Sequence, residues 1–426
     1  MKAKIYPIHD VANELKIDAS IFALHLEILL ASIAKGTSTI KNLTSCNEID
    51  TTIAWCKSFG AIIRQVGNKL IIKGVNKDIK YQNSLFVCNK TSTTAKLMLA
   101  ILCLNKQPFG IQGSPEIIEE IASFCPILEM FGVKCFKDNG ILRFENQLVA
   151  NDVELDGDLD IYFAASLLIA LPLVKKNSSI RLIAPIRLEK NYSTVLKIVK
   201  KFHVDIKHPS SMKYEISGNQ KYSHNSITTE MDKFLLSHYS LLTQKLEGNR
   251  NIKLTNYITG STDEYRKLYN FMKENVVYYS RFPKKILKKR TISVHRVEYN
   301  VENSLPLLMV ICSLSDQDTT ISKVDFTKPR IKKQFEIMSN IFTKLKIGFS
   351  SFEDESIIHI EPSSVKEIKQ VDCQNDPIIA MAITMLALLS DEAIVIRNAE
   401  CIYEINYEFF NTLKRFGATI EFIHDN

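Results

Sequence analysis

The chain has 426 residues, 46% hydrophobic and 24% charged, with a net charge of +7 from 54 basic and 47 acidic residues. That length and balance predict an ordinary soluble protein of about two or three domains, each able to bury a core. No run reaches the roughly 18 apolar residues of a membrane span, and nine scattered cysteines without a Cys-x-x-Cys pair argue against a disulfide framework.

The start, Met1-Lys2-Ala3-Lys4-Ile5-Tyr6-Pro7, lacks the apolar stretch of a signal peptide, so a cytoplasmic protein with reduced thiols is expected. Residues 1–18 read as a lead-in strand and turn. The apolar run from Leu26 to Ala34 then predicts a helix with little polar face, hence a buried one. Thr37 to Ile40 reads as a strand. Ile49, Ile53, Cys56 and Phe59 recur at helical spacing, and Gly60 stops that helix. Ala61–Ile63 and Leu70–Ile72 read as a hairpin around Gly67-Asn68. The unit is helix, strand, helix, strand, strand.

It recurs from Thr94, Tyr162, Phe234, Leu305 and Ile378, roughly 70 residues apart and too long for a common solenoid repeat. The polar stretch 221–226 is the expected crossing between domains. The fold expected is α/β, with residues 19–227 (repeats one to three) inserted into a discontinuous domain of residues 1–18 plus 228–426 (repeats four to six). A ligand cleft is expected between the two. The basic run 281–290 has no aromatic series or nucleic-acid motif beside it, so a solvated edge or loop is expected rather than nucleic-acid binding. No cofactor, metal or membrane association is expected.

Several segments resemble the enolpyruvyl transferases, above all the 5-enolpyruvylshikimate-3-phosphate synthase family. Thr91-Ser92-Thr93-Thr94-Ala95-Lys96-Leu97 resembles its Ser-Gly-Thr-Thr-Ala-Arg-Leu motif. Asp156-Gly157 with the apolar run after it resembles the segment carrying Ser-Ser-Gln. Asn375-Asp376-Pro377-Ile378-Ile379-Ala380-Met381 resembles Asp-His-Arg-x-Ala-Met, and Asn406-Tyr407-Glu408-Phe409-Phe410 the closing Phe-Pro-x-Phe-Phe. The resemblance spans nearly the whole chain. It implies two pseudo-threefold inside-out α/β barrels and transfer of the enolpyruvyl group of phosphoenolpyruvate to a sugar-like hydroxyl. It also places Ser92, Lys96, Lys190, Tyr192, Lys328, Arg330, Asp376 and Glu404 at the substrate cleft.

That chemistry needs cations for two phosphates and a carboxylate, together with proton-transfer groups. Most of them are missing here. The opening lysine, serine and arginine motif falls on Ile21, Phe22 and Leu26, and no Lys or Arg lies between Lys16 and Lys35. The motif arginine becomes Lys96, an arginine pair falls near Glu116 and Glu120, and Ser-Ser-Gln reads Asp160-Ile161-Tyr162. A catalytic aspartate falls near Ser304, a glutamate at Ile331, a closing arginine at Gln334 and a late lysine at Glu404. The wall-precursor branch of the family uses a reactive cysteine after the second strand; Gln112–Pro115 has none, and Cys125 reads as core.

Loss of one partner of a desolvated charge pair costs about 2–5 kcal/mol, whereas micromolar binding is worth only about 8 kcal/mol in all. The expectation is therefore a family member not competent in 3-phosphoshikimate carboxyvinyl transfer. One reading is a pseudoenzyme that binds a small molecule or a protein partner in the cleft. The alternative is a diverged enzyme, either a carboxyvinyl transferase with an altered substrate or another activity. Asp160, Glu116, Glu120, Glu189 and Glu404 admit a neutral or cationic ligand or ordinary solvated acids, and His25 and Glu27 admit a functional or a structural role.

Overall fold

The structure, a computed structural model, describes residues 1–44, 46–76, 78–81, 84–88, 92–157, 159–183, 189–246, 253–255, 276–277, 291–292, 296–298, 305–327, 329–404, 406 and 408–423. For residues 189–190, 233–234, 244–245, 329–330, 404 and the short strands between 253 and 298, only the backbone is described. The basic run 281–290 lies outside the described residues, as does most of the fourth repeat beyond its helix. Among the described residues no helix is long and apolar enough to cross a membrane.

The chain divides into two compact units, Ala19–Glu230 and Met1–Asp18 with Met231–Asn426. Helices of the first unit are α1 (Ile21–Ile33), α2 (Asn47–Ser58), α3 (Thr93–Leu102), α4 (Pro115–Ala122), α5 (Cys125–Met130), α6 (Ile161–Ala170) and α7 (Glu189–Lys201). The second unit holds α8 (Lys233–Leu246), α9 (Leu305–Ser313), α10 (Pro329–Leu345), α11 (Pro377–Leu389) and α12 (Phe409–Phe416).

The helix that opens each repeat is apolar on every side, and its burial follows. All of α1 from Ala23 to Ile33 is buried, as is α3 from Thr94 to Leu102. Only Tyr162 of α6 reaches partial exposure. Gly60 follows α2 at φ +108°, a conformation costly for residues with a Cβ. The hairpin closes Val66 on Lys69 around Gly67-Asn68, with Gly67 at φ +56°.

The repeat itself has one strand more than the sequence pattern implied. Leu85–Val87 precedes α3 and pairs in parallel with Phe109–Gln112, while Asp152–Leu155 precedes α6 and pairs with Ser178–Leu182. Arg296–Glu298 and Lys369–Asp372 do the same before α9 and α11. The first repeat takes this strand from the far end of its own unit, where Ser226–Thr228 lies parallel to Thr39–Lys41. Each completed sheet therefore has four strands. The lead-in strand Lys2–Ile5 also fills a slot, pairing antiparallel with both Ile394–Arg397 and Ile420–Ile423. It supplies the strand that the last repeat lacks.

Candidate functional site

In the unit 19–230 the first turns of several helices meet around Lys96. Helices α3 and α6 pack closely, with Ala95, Ala100, Ala164 and Ala165 along their buried lengths. Ser166 Oγ accepts a hydrogen bond from the Ala100 backbone N–H at 2.9 Å. This packing carries Lys96, only 9% exposed, to the start of α6, where its Nζ lies 3.1 Å from Asp160 Oδ2. On the other side the ammonium pairs with the Glu120 carboxylate at the end of α4. Burial would lower the Lys96 pKa, but Glu120 and Asp160 outweigh it and hold the group above its ordinary value. Burial likewise pushes Glu120 up; Lys96 and the Ser92 hydroxyl overcome that and leave it lowered. Ser92 Oγ donates to Glu120 Oε2 at 2.5 Å.

Asp160 is engaged on both oxygens. Its Oδ1 caps α6 by accepting from the backbone N–H groups of Tyr162 (2.9 Å) and Phe163 (3.1 Å), while Oδ2 faces Lys96. A helix N-terminus favours an anion, and here the protein's own carboxylate occupies it.

A second line of contacts runs through hydroxyls. His25 Nδ1 lies 2.8 Å from Thr52 Oγ1, which lies 2.8 Å from Thr94 Oγ1. Thr94 donates to the Glu48 carbonyl at 3.5 Å, and Thr93 Oγ1 donates to Glu48 Oε1 at 3.3 Å. The Nε2 edge of His25 faces Glu48 Oε2 at 3.9 Å. The Tyr162 ring stands edge-on to both His25 and Phe22, at 6.1 and 5.3 Å between centroids.

Of the sequence candidates, this places Ser92 and Lys96 together and near Asp160. Tyr192 is buried in the same unit, stacked on Tyr214 at 5.6 Å, with no hydrogen-bond partner on its hydroxyl. Burial chiefly, then Tyr214 and Asp160, push that phenol up. Asp376 belongs to the other unit, where Oδ1 caps α11 through Ile378 and Ile379 (2.9 and 3.1 Å) and Oδ2 accepts from Gln334 Nε2 at 3.2 Å. Gln334, expected where the family has an arginine, is buried and holds a cap. Lys328 and Ser304 lie outside the described residues; the side chains of Glu189, Lys190, Arg330 and Glu404 do as well.

Glu116 and Glu120, both expected near the positions of the family's arginine pair, are separated in the structure, and only Glu120 reaches the cluster. Glu116 is exposed in the first turn of α4, its pKa lowered by the Ser114 hydroxyl and its own backbone N–H. Cys125, read as core, is half-buried and packs against the hydrophobic core of this unit.

The EPSP synthase (3-phosphoshikimate 1-carboxyvinyltransferase) family model matches residues 5–413. The chain belongs to the EPSP synthase family. Relatives named 3-phosphoshikimate 1-carboxyvinyltransferase include those of Clostridium acetobutylicum, 23% identical with 96% of each chain covered, and Clostridium perfringens, 24% identical with 99% of each covered. Among solved structures, the EPSP synthase of Acinetobacter baumannii superposes with a TM-score of 0.73 at 16% identity, covering 99% of both chains. The enolpyruvyl transferase NikO of Streptomyces tendae reaches 0.62 at 11% identity, covering 99% of this chain and 98% of its own. These likenesses show the shared α/β fold. Within that EPSP synthase framework, Glu48 and Thr52 were not singled out from sequence. The signal present, two acids in the first turn of α2 (Glu48, Asp50), is that of an ordinary helix start.

Proposed function

We propose that this EPSP synthase family member does not catalyse carboxyvinyl transfer to 3-phosphoshikimate, and that it recognises a different small molecule or a partner. The observation that carries this reading is the state of Lys96. The one cation kept in the Thr-Thr-Ala-x-Leu motif is held by two of the protein's own carboxylates, Glu120 and Asp160. An incoming phosphate would have to displace both, and α1, where the family's opening motif would fall, carries the half-buried Ile21 and Phe22 and the fully buried Leu26 instead. The inside-out barrel architecture with pseudo-threefold units is taken from the family as part of the same reading, supported by the recurring four-stranded sheets. A second reading, a diverged enzyme, is favoured by the buried His25 beside Glu48, a pair able to move a proton.

The test is a titration of purified protein with shikimate 3-phosphate and phosphoenolpyruvate together, followed by an assay of phosphate release. No saturable binding and no turnover above the enzyme-free rate are expected. Micromolar binding with steady phosphate release overturns the proposal.

A further inference from the structure

The sheet of the first repeat differs from its two counterparts in the unit 19–230 in how its charge is arranged. Its strands Thr37–Lys41, Ile62–Val66, Lys69–Lys73 and Ser226–Thr228 contain no acid, and the exposed face alternate to the buried residues carries Lys41, Arg64, Lys69 and Lys73. Among the described residues, none of these four cations has a side-chain hydrogen bond or an ion pair. The counterpart sheets neutralise theirs. Lys134 pairs with Glu145 and Arg143 with Asp138 on one, each at 3.4 Å, and Arg181 pairs with Glu154 at 3.1 Å on the other.

Ile62–Val66 is the strand at the open edge of this sheet, and on its outer face Ile62 and Val66, 53% and 58% exposed, flank Arg64. Charges and proline on an edge strand discourage pairing with another chain. The equivalent edges obey that rule, since Lys134–Asp138 carries two lysines and an aspartate, and Lys207–Ser210 a lysine and Pro209. In the first sheet the lysines stand one and two strands in, on Lys69–Lys73 and at Lys41. There they attract an anion without blocking the edge. We infer that Ile62–Val66 docks an extended acidic segment of a partner protein. The segment adds as a further strand, with a carboxylate opposite Arg64 and aliphatic residues opposite Ile62 and Val66. A second copy of the chain fits poorly, because two-fold pairing centred on this strand sets Arg64 against its own copy and brings two acid-free faces together. Single-stranded nucleic acid stacks on aromatic side chains, and those here are aliphatic. A bilayer offers no partners to the backbone groups of an open edge. The inference does not depend on what binds at Lys96.

The test adds the full chain to a fluorescently labelled peptide, Asp-Val-Thr-Glu-Thr-Val-Asp, and follows anisotropy. Saturable binding that weakens as salt is raised is expected. The same residues in the order Val-Val-Thr-Thr-Asp-Glu-Asp keep the charge but lose the alternation, and should not bind; nor should a version with lysine at the three acidic positions. Arg64→Glu should weaken binding by about tenfold or more, and Ile62→Lys should do the same by giving this edge the lysine its counterparts carry. Both positions are exposed, so the variants keep the fold. Lys213→Ala, on the outer face of another sheet, should leave binding unchanged. Amide hydrogen exchange across residues 62–66 should slow when the peptide is present. No binding, equal binding of the rearranged or basic peptide, or unaltered exchange across 62–66 each overturns the inference. So does binding of phosphatidylserine vesicles or of polyuridylate that Arg64→Glu abolishes and the peptide does not displace. None of these outcomes bears on synthase activity, which the phosphate-release assay decides.

Discussion

Glu27 lies on α1 with no solvent exposure, its Oε2 accepting from Thr229 Oγ1 at 2.6 Å and its Oε1 3.7 Å from Lys201 Nζ. Burial raises its pKa from 4.5 to about 7, despite Thr229 and Lys201, which act the other way. A raised carboxyl pKa means that the folded state holds a proton the unfolded state has released. The stabilisation is complete below about pH 4.5 and is lost as pH rises through about 7. Glu27→Gln keeps an acceptor for Thr229 and removes the ionisation. It should match the native protein at pH 4.5 and exceed it at pH 8 by up to about 3 kcal/mol, read from urea unfolding at the two pH values. An equal difference at both would mean that Glu27 does not titrate in this range. At this scale the sequence was informative about which charges were missing and poor at saying where the remaining ones go. Lys96, Glu120 and Asp160 are 24 or more residues apart in the chain, and Glu120 read as an acid facing a ligand because nothing local shows that Lys96 reaches it first. His25 and Glu48 were equally opaque, since their relation depends on how α1, α2 and α3 pack.

Among the elements, α6 and α11 begin alike, each with an aspartate accepting from two backbone N–H groups and a polar side chain from a neighbouring helix on its second oxygen. Removing such a cap costs about 1 kcal/mol, and loss of the Lys96 contact adds a similar amount. Asp160→Ala should therefore destabilise the protein by about 2 kcal/mol, and Asp160→Asn by about half that, because Asn still caps. Denaturant midpoints with an unchanged slope are the measurement. Equal losses for the two variants would mean that the cap contributes nothing. The long apolar helices and the Gly67-Asn68 hairpin were legible because their patterns are local and repeat. The opening strand of each sheet was not. Leu85–Val87, Asp152–Leu155 and Lys369–Asp372 are three or four residues long, two of them with charged ends, and pair with a neighbour on only one side. Runs so short carry too little alternation to be read as strands.

For the molecule as a whole, each unit has a core of its own. One runs from Ala23 to Ile227 and contains no residue of the other unit; the second combines Ala3 to Ile17 with Met231 to Ile420. The chain enters and leaves the first unit at one place, where the Ser20 backbone N–H donates to the Glu230 carbonyl at 2.9 Å. The last strand before that exit, Ser226–Thr228, is the parallel partner of Thr39–Lys41, so every strand of the unit's three sheets comes from within residues 19–230. A segment of about two hundred residues with a complete core and adjacent ends has the size and anatomy of an independent folding unit. Residues 19–230 expressed alone should unfold cooperatively in urea, with coincident transitions by circular dichroism and by fluorescence of Trp55, the single tryptophan, which is buried in this core. The remaining residues joined directly from Asp18 to Met231 should do the same by circular dichroism, since Lys2–Ile5 and α8 to α12 share the second core. A non-cooperative melt of 19–230, or a fluorescence transition that precedes the circular dichroism one, would show that the first unit takes part of its stability from the second.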